Sequence, residues 1–389
     1  MKNIIIIGSR GYKYNYGGWE TFVTELVNNS KDKDMRFFIP YLSHDKNNKN
    51  KITHKDNIEE VNLYVPNTGY TTMFNFTIKS IEYYIKYLKT HKLDNVIMLI
   101  LGCKIGPLMP RYTRQLHKLG VKTVLNPDGI EWKRDKWAWW IKKCFKISES
   151  YHVKYADHVV CDSQAIKEYI DNEYKVSNKS SFIAYGTYLD IKITDEKACN
   201  KYFKEHDITK NNYYLYVGRF VPENNIETII SEFIGSNTDK KLLLVTNYEE
   251  NDFYYELKRN THFDQDDRVV FLGPVYDKEL LTYLRMNAYG YIHGHSAGGT
   301  NPSLLEALAY TKINILFDVE YNKEVGKDKC YYFSKVNSSL ARQINICDKL
   351  TKKEIDNLGK ECLNIIKNNY TWEIIVNKYN DLFDKLLGE

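Results

Sequence analysis

Ile4 to Ile7 are four consecutive isoleucines that stop at Gly8, and no other pattern constrains the fold of this chain as much. A half-exposed strand would alternate; a continuous apolar run ended by a glycine turn fits a strand buried on both faces of a parallel sheet. Further predicted strands lie at 37–41, 61–65, 95–101, 123–126 and 158–161, with helical patterns between them near 19–29, 74–90 and 137–155. This alternation predicts a doubly wound α/β domain. A second alternation has strands at 213–217, 242–246, 269–272, 290–293 and 313–317 and helices at 224–235, 277–286, 302–310, 338–347 and 352–368. A chain of 389 residues has room for two such domains of about 150–200 residues each. We expect a Rossmann-like domain over 1–195, a second over 196–370, a charged linker near 190–205 and a last helix within 371–389. Ligands of open α/β sheets sit beyond the strand C-termini, so a cleft between the halves is the expected place for chemistry.

Charge and cysteine usage narrow the class. Lys and Arg exceed Asp and Glu by five, too weak a balance to imply nucleic acid. The segment 133–146 alone, with six basic residues and one acidic one, carries an excess of that size. Seven scattered cysteines without a CxxC pair fit reduced thiols, not a disulfide framework or a zinc site. The first apolar run is too short for a signal-peptide core, and none approaches the roughly 18 residues of a membrane span. These features predict a cytoplasmic protein. Asp264, Asp266 and Asp267 read as a solvated turn, and no metal site is expected.

Residues 293–309, HGHSAGGTNPSLLEALA, carry the clearest chemical signal. Gly298, Gly299 and Thr300 form a turn of little bulk, Asn301 can cap a helix, Pro302 suits its first position, and Leu304, Leu305 and Leu308 face inward. A glycine-lined helix N-terminus with free amides suits a phosphate or diphosphate, and Glu306, one turn in, could reach a ribose hydroxyl. Gly17 and Gly18 close a first glycine loop, whose G-x-x-G spacing is not a dinucleotide fingerprint. Arg219 follows the predicted strand at 213–217 and could bind a diphosphate through two hydrogen bonds. His293 and His295 flank Gly294, and His295 is the better ligand candidate. Asp128 lies in an NPDG turn past a strand end, and Glu131 could pair with Arg134.

GGTNPSLLEAL resembles the donor-site segment of the retaining glycosyltransferases of family 4, more closely the bacterial rhamnosyltransferases of capsule and cell-wall polysaccharide synthesis. IIIIGSRGYKYNYGGWETFVTELV, NPDGIEWKRDKW from Asn126, ADHVVCDSQAIKEYI from Ala156 and YLYVGRFVPENNIETII from Tyr214 are similar to segments of that branch, in the same order. The resemblance implies two Rossmann-like domains of the glycosyltransferase B type, with the last helix crossing back to the first domain. It also implies retaining transfer of a hexosyl group, L-rhamnose from dTDP-L-rhamnose, to a polyprenyl-diphosphate-linked saccharide, without cofactor or metal. On this reading Asp128, Arg219 and His295 are catalytic. Gly17, Gly18, Glu131, Ser296, Gly298, Gly299, Thr300, Asn301, Leu304 and Glu306 bind substrate. Two family features are missing: Asn224 or Asn225 stands where a lysine is usual, and Gly298 where a first glutamate is usual, leaving His295 and Ser296 near the sugar.

A lipid-linked acceptor implies peripheral contact with an anionic membrane at the inner face of the cell membrane. Trp139 among Lys142, Lys143 and Lys146 would supply it, with Trp137, Trp140, Ile141 and Cys144 facing the core. No nucleic acid partner is expected. A nucleotide-sugar epimerase of the same architecture and a non-catalytic nucleotide-sugar binder are the competing readings.

Overall fold

A computed structural model describes residues 1–14, 18–30, 34–134 and 137–388. The chain forms two compact units, Met1–Tyr185 with Trp372–Glu389, and Gly186–Thr371. The first is built on strands β1 (Lys2–Ile7), β2 (Met35–Ser43), β3 (Ile52–Lys55), β4 (Ile58–Tyr64), β5 (Val96–Leu101), β6 (Lys122–Asn126), β7 (His158–Cys161) and β8 (Ser180–Phe182). They order β3-β4-β2-β1-β5-β6-β7-β8, parallel except for the β3–β4 pair. Ile4 lies between Phe37 and Ile97, and all four isoleucines are fully buried. Helices α1 (Gly18–Asn29), α2 (Thr72–Thr90), α3 (Met109–His117), α4 (Trp139–Tyr155) and α5 (Gln164–Tyr174) connect the strands. Phe76, Ile81 and Tyr84 of α2, Met109 and Leu116 of α3, and Ile166 and Ile170 of α5 join one core, each large apolar side chain contributing about 1.5–3 kcal/mol by burial.

The second unit carries a six-stranded parallel sheet of β9 (Tyr213–Val217), β10 (Lys241–Val245), β11 (Val269–Phe271), β12 (Gly290–His293), β13 (Ile313–Phe317) and β14 (Tyr331–Phe333), ordered β11-β10-β9-β12-β13-β14. Its helices are α6 (Glu196–Glu205), α7 (Ile226–Ile234), α8 (Asp252–Thr261), α9 (Lys278–Met286), α10 (Pro302–Tyr310), α11 (Glu320–Gly326), α12 (Ser339–Cys347) and α13 (Lys352–Asn369). The last helix, α14 (Trp372–Leu387), belongs to the first unit, where the Tyr379 ring packs 5.4 Å from Phe22 of α1.

Each sheet has one strand from which the chain departs to one side and later returns on the other. These are β1, between β2 and β5, and β9, between β10 and β12. Such switch points open a crevice at the strand C-termini.

Two expectations need correction. The charged stretch near 190–205 is not all linker, because Asp195 caps α6 by accepting a hydrogen bond from the Ala198 amide. The face assignment of α4 is also wrong. Trp137 precedes the helix, Trp140 and Cys144 are exposed, and the buried positions are Ser148, Glu149, His152 and Val153. Three of those four are polar because they serve neighbouring groups. Ser148 Oγ accepts from the Gly106 amide at 2.8 Å, His152 Nε2 from the Ile105 amide at 3.2 Å, and Glu149 from the hydroxyls of Tyr169 and Tyr174.

Candidate active site

In the second unit β9 and β12 pair with Gly290 beside Tyr214 and Tyr291 beside Leu215, so the segments leaving them share one edge. Hydrogen bonds stitch these segments together. Asn225 Nδ2 donates to the Gly294 carbonyl at 2.7 Å, and Ser296 Oγ donates to the Glu223 carbonyl at 2.6 Å. A Cβ on Gly294 would sit 2.1 Å from the Asn224 carbonyl oxygen, so this approach requires glycine. Buried Asn224 donates through Nδ2 to the Arg219 carbonyl at 2.9 Å, and its Oδ1 meets His295 Nδ1 at 3.0 Å. Because the amide nitrogen is already a donor, Oδ1 accepts, and His295 carries its proton on Nδ1. From α11, Asn322 Nδ2 donates to the His295 carbonyl at 3.0 Å and the Tyr321 hydroxyl donates to the Ser296 carbonyl. The loop is thus held from both sides.

Gly298 has φ +123°, and a Cβ there would lie 3.1 Å from His295 Nε2. The absence of a side chain therefore suits both the backbone and the imidazole. His293, buried one strand position before the loop, has its pKa driven well below the ordinary range by desolvation and then by the neighbouring His295. It is a neutral packing group.

The helix mouth differs from the expectation of free amides in the first turn of α10. Pro302 has no N–H, Asn301 Oδ1 accepts from the Ser303 amide at 2.9 Å, and the Leu304 and Leu305 amides both bond the Asn301 carbonyl. The donors left lie one step earlier. Among the described residues the amides of Gly298, Gly299 and Asn301 make no hydrogen bond. Thr300 is buried between them, and the Leu304 side chain is in the core. On the same edge Arg219 is exposed, and its guanidinium forms no ion pair among the described residues.

Glu306 points from α10 towards α9. Its Oε2 lies 2.6 Å from Arg285 Nη2, the carboxylate side chain 39% exposed and the arginine 2%. The same Nη2 donates to Ser303 Oγ at 3.3 Å, and that hydroxyl lies 2.9 Å from the Tyr291 hydroxyl and 3.3 Å from the Val217 carbonyl. A network thus runs from the end of β9 to Glu306.

In the first unit, Asp128 follows β6 with φ 67°, its amide donating to Asn126 Oδ1 at 3.1 Å. Burial raises its carboxyl above the ordinary range, with Arg134, the Gly129 amide and Lys104 opposing. Lys104, past the end of β5, is pushed down by burial, with Asp128, Glu20 and Glu131 among the opposing charges. Glu131 is held by Arg134 Nε at 3.0 Å and by Trp137 Nε1 at 2.8 Å, so its carboxylate is fixed in place. Glu20, in the first turn of α1, accepts from the Arg10 amide at 2.9 Å, and the space above Gly18 is open. Gly17 lies outside the described residues.

Residues 200–372 match the family model described as Glycosyl transferases group 1. The second unit is a glycosyltransferase group 1 domain. Residues 1–188 match a model described only as a domain of unknown function, DUF1972. Over 411 aligned residues, covering all of both chains, this chain is 25% identical to an uncharacterised glycosyltransferase of Methanocaldococcus jannaschii. Its fold is similar to that of sucrose-phosphate synthase from Thermosynechococcus elongatus, with a TM-score of 0.76 at 16% identity and full coverage of both chains. It is also similar to that of Anabaena HepE in complex with UDP, with a TM-score of 0.74 at 14% identity over 99% of this chain and 100% of that one. The fold is the two-domain glycosyltransferase B type.

The chain gathers Arg219, His295, Ser296, Gly298, Gly299, Thr300, Asn301 and Glu306 on one sheet edge of its second unit. Gly18, Asp128 and Glu131 belong to the first. Sequence reasoning missed Lys104 and Arg285. Lys104 is the third residue past a recognised strand, a position open to inspection. Arg285 occupies a buried position on α9 beside Leu284, and a cation on an apolar helix face is a signal that it has a partner.

Proposed function

We propose that the chain is a retaining enzyme that transfers L-rhamnose from dTDP-L-rhamnose to a polyprenyl-diphosphate-linked saccharide in cell-surface polysaccharide synthesis. The observation that carries the donor reading is that, among the described residues, the amides of Gly298, Gly299 and Asn301 are unpartnered on the same edge as a guanidinium, Arg219, without an ion pair. Amide donors and a cation in one place suit a diphosphate leaving group. Glu306 receives the nucleoside sugar, and His295, with Nδ1 occupied by Asn224, turns Nε2 towards the hexose. Anabaena HepE, of the same fold, forms complexes with UDP and with UDP-glucose, which supports a nucleotide-sugar donor.

In the proposed reaction the acceptor hydroxyl attacks the anomeric carbon from the face that the diphosphate leaves. The bond from that carbon to the phosphate oxygen breaks, and the departing diphosphate takes the proton. Asp128 and Glu131 align the acceptor, and no covalent nucleophile is required. Contact with an anionic membrane is proposed through α4.

The test is incubation of the purified protein with dTDP-L-rhamnose, UDP-glucose and other nucleotide sugars, with and without a synthetic lipid-linked acceptor. Transfer of rhamnose with retained anomeric configuration, lost in Arg219→Ala by at least about 100-fold, is the expected result. Transfer from another donor alone would reject the rhamnose assignment, and donor isomerisation without acceptor would reject transfer.

A further inference from the structure

We infer that Arg285 sets which nucleoside sugar the site accepts, by engaging one oxygen of Glu306 in an ion pair so that one oxygen, not two, faces the sugar hydroxyls. This rests on the proposal that Glu306 meets the nucleoside sugar. A ribose presents adjacent 2′ and 3′ hydroxyls, and a carboxylate serves the pair best with one oxygen for each. A 2′-deoxyribose presents only the 3′ hydroxyl.

Glu306 has no second partner among the described residues, so Oε1 is the oxygen available to a ligand. Oε2 is not readily released. Arg285 is 2% exposed, and its Nε has no partner among the described residues. Rotating the carboxylate away would leave a buried guanidinium with only the 3.3 Å bond to Ser303. Ser303 is itself held by Tyr291 and the Val217 carbonyl, so the cation cannot follow the carboxylate without breaking that network. Arg285 is a positioning residue, acting on the nucleotide through Glu306. The geometry gives no reward for a 2′ hydroxyl, so a deoxyribonucleoside diphosphate is accepted as well as its ribonucleoside counterpart.

Titration calorimetry of the full chain with UDP against dUDP, and with ribothymidine diphosphate against dTDP, isolates the 2′ hydroxyl on two bases. The expected result is that neither ribonucleotide binds more than threefold tighter than its deoxy partner. A larger ribonucleotide preference in either pair overturns the inference. Arg285→Met, which frees Oε2, shifts the ratio towards the ribonucleotide by at least threefold, and Arg285→Lys retains the wild-type ratio. An unchanged ratio in a folded Arg285→Met protein also overturns it. If that variant does not fold, the wild-type ratios decide alone. Glu306→Gln separates the two levels of argument. If Glu306→Gln changes no affinity, or if none of the four nucleotides binds, the nucleoside-sugar role of Glu306 falls and the inference with it. If Glu306→Gln weakens binding while the wild type prefers ribonucleotides, only the inference falls.

Discussion

The Arg285–Glu306 pair decides which substitution can probe the donor site. Glu306→Ala removes a hydroxyl acceptor, but it also strands a guanidinium that is 2% exposed. Breaking such a pair from one side costs about 3 kcal/mol, the low end of the range for buried pairs, because water can enter over the half-exposed carboxylate. Glu306→Gln keeps an oxygen for Arg285 and is expected to cost about 1 kcal/mol of stability. Both variants should weaken dTDP-sugar binding by at least about 1 kcal/mol. Urea midpoints and calorimetry together check this: equal stability loss in the two variants would mean that Arg285 does not depend on Glu306. The same scale explains the missing lysine. Asn224 is buried and bridges the Arg219 carbonyl to His295, a task that needs a donor and an acceptor on one short side chain, and an ammonium has no acceptor.

Among elements, α4 departs furthest from its amphipathic reading. Trp139 is 76% exposed and Trp140 57%, and Cys144, Ile147 and Tyr151 continue an exposed apolar stripe down the helix. Lys143 and Lys154 are exposed beside it, whereas Lys146 is drawn inward to Tyr169 and to Glu173 at 2.7 Å. Indoles with flanking lysines suit the headgroup layer of an anionic bilayer, although no helix among the described residues is long and apolar enough to cross a membrane. Trp139→Ala with Trp140→Ala should reduce sedimentation with anionic liposomes at least about tenfold, on an area argument for two buried indoles, while transfer to a water-soluble acceptor is unchanged. Undiminished sedimentation would remove α4 from the membrane reading. The misread face has a physical origin. Counting from Trp137 placed the helix start two residues early, and the buried face is polar because it serves Ile105, Gly106, Tyr169 and Tyr174. Where local chemistry was self-contained, as at Asn301-Pro302, the sequence located the helix to the residue. Strands β8 (SSF) and β14 (YYF) lack the aliphatic residues that marked the equally short β11 (VVF), and α3 was hidden by the charges of MPRYTRQLH. The glycine turn, Arg219 and Glu306 were legible because they follow strands or open a helix. Arg285 and Lys104 were not, since their importance comes from neighbours distant in sequence.

For the whole molecule, buried imidazoles tie stability to pH. Burial lowers the pKa of His152 in the first unit from 6.5 to about 3, with the charge of Lys104 adding to the effect. His293 in the second unit is also driven well below its ordinary value by burial. An unfolded chain takes up these protons below about pH 6.5, whereas the folded units do not, so stability falls as pH drops through that range. Each such histidine contributes up to 1.36 kcal/mol per pH unit, or about 2 kcal/mol between pH 6.5 and 5. Asp128 acts in the opposite sense, since its raised pKa favours protonation in the folded state, but it does so nearer the carboxylate range and offsets only part of the loss. Because each unit has its own core and its own buried imidazole, acid should weaken both. Urea midpoints at pH 7.5, 6.0 and 5.0 should therefore decline in every resolved transition. His152→Gln, which keeps an acceptor for the Ile105 amide, should flatten the decline of the first unit and leave that of the second unchanged. A midpoint that is constant or rises on acidification would mean that these imidazoles reach protons in the folded state and that the burial argument is wrong.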